Sequence, residues 1–169
     1  METNRTLRDI AGLENATVLV IRDVWTGDSP YSPLAAIYEL RRGARGGFAG
    51  GGRLSTSIDG ERLVDVAIPS SAAKRFLEKL ADAAVSEGAY TPHQGWTDDF
   101  PFVEIALHGV RVEHPSVLLF SKSQGEFHAP WGACIGGDLW TLPGDEVGRA
   151  LAALRGPLKR SMLDRMTKA

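Results

Sequence analysis

Residues 52–87 read GRLSTSIDGERLVDVAIPSSAAKRFLEKLADAAVSE, and the change of period inside this stretch decides the fold class. Its first half is divided by Asp59-Gly60, a pair suited to a two-residue type I′ turn because both positions need positive φ. That predicts a hairpin of Gly52–Ile58 with Glu61–Ile68. Pro69-Ser70-Ser71 then ends the sheet and offers a serine at a helix start. From Ala73 the period becomes helical: Ala73, Phe76, Leu77, Leu80, Ala81 and Ala84 share one face, while Lys74, Glu78, Lys79 and Asp82 fall off it. The spacing predicts a helix over 70–87 with Gly88 as its stop.

Working outward, Ala16–Trp25 and Leu34–Leu40 read as two further strands, separated by a turn holding Gly27, Asp28, Pro30 and Pro33. Four strands in series before one helix predict an antiparallel meander. Beyond the helix, residues 89–101 are polar. Val103, Ile105 and Leu107 alternate with Glu104 and Ala106, and His108-Gly109 is read as a two-residue turn that sets Leu107 opposite Val110. Val117–Phe120 is a continuous apolar run, read as a buried strand. Trp131–Ile135 and Leu139–Leu142 flank Gly136-Gly137-Asp138 as another hairpin. Asp145 starts a last helix that points Val147, Ala150, Leu151 and Leu154 inward, and Gly156-Pro157 breaks it. The order strands, helix, strands, helix defines an α+β domain spanning 1–169: a curved antiparallel sheet built from hairpins, packed against a central and a C-terminal helix.

The bulk numbers exclude several classes. At 169 residues the chain has the length of one domain and needs no covalent staple. A net charge of −2 supplies no basic field for nucleic acid and no acidic excess for disorder. The single cysteine, Cys134, excludes an internal disulfide and fits a reducing, cytoplasmic location. The N-terminus has no apolar core of signal-peptide length, and no apolar run is long enough to span a membrane.

Three regions carry candidate chemistry. Residues 43–52, GARGGFAGGG, resemble a phosphate-cradling loop only in composition: Arg53-Leu54 stands where a P-loop needs Lys-Ser/Thr, and no GxGxxG is present. The expectation is a flexible bend between strands two and three. Arg41, Arg42, Arg45 and Arg53 around it offer a grip on phosphates or an acidic partner. The richest region is 90–140, which holds all four histidines (His93, His108, His114, His128) and most of the aromatics, including Trp96, Trp131 and Trp140. Ligand or partner binding is therefore placed on His93, Trp96, Asp98, Asp99, His128 and Trp131. If a metal is held, His93, Asp98, Asp99 and His128 are its ligands, although no HExxH, HxH or paired cysteine is present. Cys134 with His128 would make a thiol–imidazole pair, but its apolar neighbours favour a small buried side chain. A basic C-terminal segment carrying Leu158, Met162 and Met166 is read as a solvated helix.

No assembled catalytic motif is present and no cofactor is expected. The leading expectation is a non-enzymatic binding or protein-interaction domain with a protein or small-molecule partner; free sheet edges would admit a homodimer. The alternatives are a metal-assisted hydrolase built on segment 93–128 and a nucleic-acid-associated protein using the Arg/Gly loop 41–53.

Overall fold

A computed structural model describes residues 5–25, 34–56, 60–88, 102–110, 116–121, 131–154 and 156–158. They form a mixed α+β structure, mostly sheet. The strands are β1 (Val18–Trp25), β2 (Leu34–Arg42), β3 (Phe48–Thr56), β4 (Gly60–Ile68), β5 (Ser86–Glu87), β6 (Phe102–His108), β7 (Ser116–Ser121), β8 (Trp131–Ile135) and β9 (Asp138–Leu142). The helices are α1 (Leu7–Ile10), α2 (Ser70–Ala81) and α3 (Glu146–Ala152), with a 3-10 turn at Leu13–Asn15.

All nine strands join one open, curled sheet in the order β4-β3-β2-β1-β6-β7-β8-β9-β5. Two four-stranded meanders thus run away from a shared β1–β6 seam, and every pairing is antiparallel. Register lines up the inward side chains across the sheet. One row runs Val64, Gly52, Tyr38, Ile21, Ile105, Leu119, Ala133, Trp140. Ile21, Ile105, Leu119 and Ala133 in that row are fully buried. Eight strands at about 4.8 Å spacing span more than 30 Å, while a helix with its side chains is about 10–12 Å wide. A flat sheet would leave much of this row uncovered. The sheet therefore curls around α2, which contributes Ala73, Phe76, Leu77 and Leu80 to the same core. α3 packs beside α2 through Val147, Ala150 and Leu151. Each buried Leu, Ile or Phe contributes about 1.5–3 kcal/mol.

Several expectations are revised by this pairing. The glycines at 50–52 lie within β3, so the bend is confined to 43–47. Thr56 pairs with Gly60 and Ser55 with Glu61, so three residues, not an Asp59-Gly60 pair, connect β3 to β4. β6 pairs with β7, with Leu107 opposite Val117 and His108 opposite Ser116; Val110 is buried in the connection. A strand at 116–121 places Val117, Leu119 and Ser121 inward and leaves Leu118 37% exposed, which is alternation rather than a buried run.

α2 stops at Ala81, short of the expected 87. The backbone beyond it finds partners elsewhere: Leu7 N–H donates to Ala83 C=O, Val85 N–H donates to Arg5 C=O, and β5 adds to β9. Tertiary pairing outcompetes helical continuation because every buried N–H and C=O must be satisfied. The β8–β9 hairpin forms, but Asp138 pairs with Ile135, so its turn is Gly136-Gly137 alone, at φ 58° and 87°, both in the left-handed region a type I′ turn requires.

Candidate functional site

Antiparallel pairing brings several chain connections to one end of the sheet. Trp25 pairs with Leu34, Val24 with Phe102, Val103 with Ser121, and Trp131 with Leu142. The segment 89–101 enters β6 there, and 122–130 joins β7 to β8 there. β6, β7 and β8 are neighbours, so the attachment points of these segments stand side by side. His93, Trp96, Asp98, Asp99 and His128 lie outside the described residues. Trp131 is described and fully buried in the core, and its indole N–H has no hydrogen-bond partner among the described residues.

The same end carries two polar residues that the sequence reading passed over. Asp23 is fully buried and Ser121 is 2% exposed. They flank Val103 on the inward face, one strand to either side, about 10 Å apart by strand spacing. Neither is without an interaction partner. The signal was present in the sequence: Leu19, Ile21 and Asp23 alternate, so a carboxylate occupies an inward position of an otherwise apolar register. A charge is placed inside a core only where something compensates it.

At the opposite end lies a cleft of about 350 Å³ between the 43–47 turn, α1, the 3-10 turn and α2. Arg8, Arg42, Arg45 and Lys74 line it, with Glu14, Glu78, Ser70 and Leu77. The guanidinium of Arg42 donates to the carbonyls of Glu14 and Ala16 and lies 5.5 Å over the Phe48 ring. Arg8 is held 2.6 Å from Asp82, which keeps its proton more tightly bound than usual. The Thr6 N–H donates to Asp9 Oδ2 at 2.8 Å, caps α1, and holds the Asp9 carboxyl below its ordinary value. The four arginines of the glycine-rich region are split: Arg42 and Arg45 line this cleft, whereas Arg41 and Arg53 share the outer sheet face with Val18 and Ile37.

The outer face is not covered by any described helix and carries its own apolar stripe. Val20, Ala106, Leu118, Cys134 and Leu139 are successive partners across β1, β6, β7, β8 and β9. Cys134 is half-buried in this stripe instead of lying in the core. His108 Nδ1 sits 2.9 Å from Ser116 Oγ at the edge of the same face. Both groups are exposed, and the pair has no carboxylate to orient the ring among its described contacts. Among the described residues no group of three His, Cys, Asp or Glu is placed to hold a metal, and no helix is long and apolar enough to cross a membrane. No protein-family model, curated protein or solved structure matches the chain.

Proposed function

We propose that this chain is a non-enzymatic binding domain that works at the end of the sheet where β6, β7 and β8 meet segments 89–101 and 122–130. The observation that carries the reading is the side-by-side attachment of both segments on neighbouring strands, above the buried Asp23–Val103–Ser121 row. Ligand sites combine apolar walls with a few fixed polar groups. A rigid sheet end that presents long connections is also the usual arrangement for recognition. His93, Trp96, Asp98, Asp99 and His128 would supply the side chains, to a protein or small-molecule partner.

The competing reading is a metal-assisted hydrolase in which His93, Asp98 or Asp99, and His128 hold zinc, iron or manganese. Elemental analysis of the chain purified without a histidine tag or added metal separates the two. The binding reading expects no stoichiometric metal, and Trp96→Ala and His128→Ala variants whose melting temperature matches the parent. Stoichiometric metal that is lost in His93→Ala and His128→Ala, together with metal-dependent turnover, would overturn it.

A further inference from the structure

We infer that the cleft between the 43–47 turn and α2 is a binding site for a small phosphate-bearing ligand, held by Arg42, Arg45 and Lys74. The inference is independent of the sheet-end reading, because the cleft lies at the other end of the fold.

Three cations from three parts of the chain converge here: the end of β2, the following turn and the first turns of α2. Each is available. Arg42 is fixed in place by two backbone carbonyls and the Phe48 ring, and its fork has five N–H groups, so donors remain. Arg45 is exposed and has no partner among the described residues. Lys74 reaches Glu78 only at 3.9 Å and stays 77% exposed. Arg8 also lines the cleft but is neutralised by Asp82 at 2.6 Å.

The spacing of these groups is built into the backbone. A Cβ at Gly47 would lie 2.5 Å from the Ile68 carbonyl oxygen and 3.3 Å from the Ser70 nitrogen, so the turn rests directly on the start of α2. Arg45, two residues before Gly47, lines the same cleft as Ser70 and Lys74. The start of α2 adds to the field. Pro69 stands at its N-cap, no side chain caps it, and no acidic residue occupies its first turn. The first helical hydrogen bond runs from Ala73 N–H to Pro69 C=O, which leaves earlier N–H groups of the turn without a helical acceptor.

Size and direction select the ligand. A volume of about 350 Å³ suits a small molecule. A nucleic-acid strand would need a continuous basic track, and Arg41 and Arg53 are on the outer face instead. Glu14 and Glu78 line the same cleft and oppose an anion, so the affinity depends on a balance that single charge changes tip.

The test is calorimetric titration of the full chain with inorganic pyrophosphate, and separately with inorganic phosphate, at low ionic strength. One saturable site is expected. Arg45→Ala and Lys74→Ala, both at exposed positions, should each weaken it by about tenfold, the cost of a lost charge-assisted hydrogen bond. Glu78→Gln should tighten it, a change of opposite sign that a structural effect would not produce. Arg41→Ala and Arg53→Ala should leave it unchanged. The inference is overturned if pyrophosphate shows no saturable binding, or if Arg45→Ala and Lys74→Ala bind as the parent does. It is equally overturned if Arg41→Ala and Arg53→Ala lose as much, or if a single-stranded oligonucleotide binds the chain through Arg41 and Arg53 in preference to pyrophosphate.

Discussion

Gly50 and Gly51 are neighbours in β3, and the structure assigns them opposite responses to the same substitution. A methyl group at Gly51 meets nothing within 4 Å. Alanine there reduces the freedom of the unfolded chain and stabilises the fold by about 0.4–1 kcal/mol. A methyl group at Gly50 would fall 2.2 Å from the Glu39 carbonyl oxygen and 3.1 Å from the Leu40 Cα. Those are backbone atoms of the adjacent strand and cannot swing aside as a side-chain tip can. Such overpacking costs about 1–3 kcal/mol, and at this distance it exceeds the entropic gain, for a net loss of about 1–2 kcal/mol. The gap between the variants is then about 1.4–3 kcal/mol. At roughly 2–4 °C per kcal/mol for a domain of this length, Gly51→Ala should melt about 2 °C higher and Gly50→Ala several degrees lower. Equilibrium denaturation followed by tryptophan fluorescence reads the difference directly, since the chain has four tryptophans. Equal and slightly stabilising responses at both glycines would refute the argument, because that is how a flexible, unpaired bend behaves.

Two further outcomes can be checked by the same methods. Leu119→Ala should cost about 2–5 kcal/mol because Leu119 is fully buried, while Leu118→Ala, on the outer face, should cost less than about 1 kcal/mol; similar losses at both would contradict the alternation of β7. Asp9 is held below its ordinary carboxyl value mainly by the Thr6 N–H, so its stabilising effect is present above the unfolded-state value and is lost as pH falls through the folded one. The melting temperature of the parent should therefore exceed that of Asp9→Asn at neutral pH, with the gap closing in acid. A gap independent of pH would show that the carboxylate does not cap α1.

The local elements were legible in the sequence because their signals are local. The helical face from Ala73 to Leu80, the Gly136-Gly137 turn, and the inward set Val147, Ala150 and Leu151 each depend on the period or backbone freedom of a few neighbouring residues. Alternation at 103–107 likewise announced a strand with one buried face. Hairpin pairings within the first four strands and at 131–142 were legible too, but the partners of β6 were not. His108-Gly109 has the composition of a tight turn, yet β6 pairs with 116–121, because that choice points Val117 and Leu119 into the core and buries Val110 as well. The end of α2 was decided by contacts with residues 5–7, distant in sequence, which competed for the same backbone groups.

The candidate sites divide along the same line. Residue types and charge are properties of the sequence, so it could nominate Arg41, Arg42, Arg45 and Arg53 together. Which of them share a surface depends on strand parity and on the turn at 43–47 folding against α2, and both are tertiary outcomes. Asp23 shows the converse. Its position in an apolar alternation was visible in the sequence, but its burial beside Val103 and Ser121 exists only because the first strand of each meander pairs with the other at the β1–β6 seam. Sequence determined which faces were apolar; long-range pairing, where buried area and satisfied hydrogen bonds are summed over the whole chain, decided what those faces met.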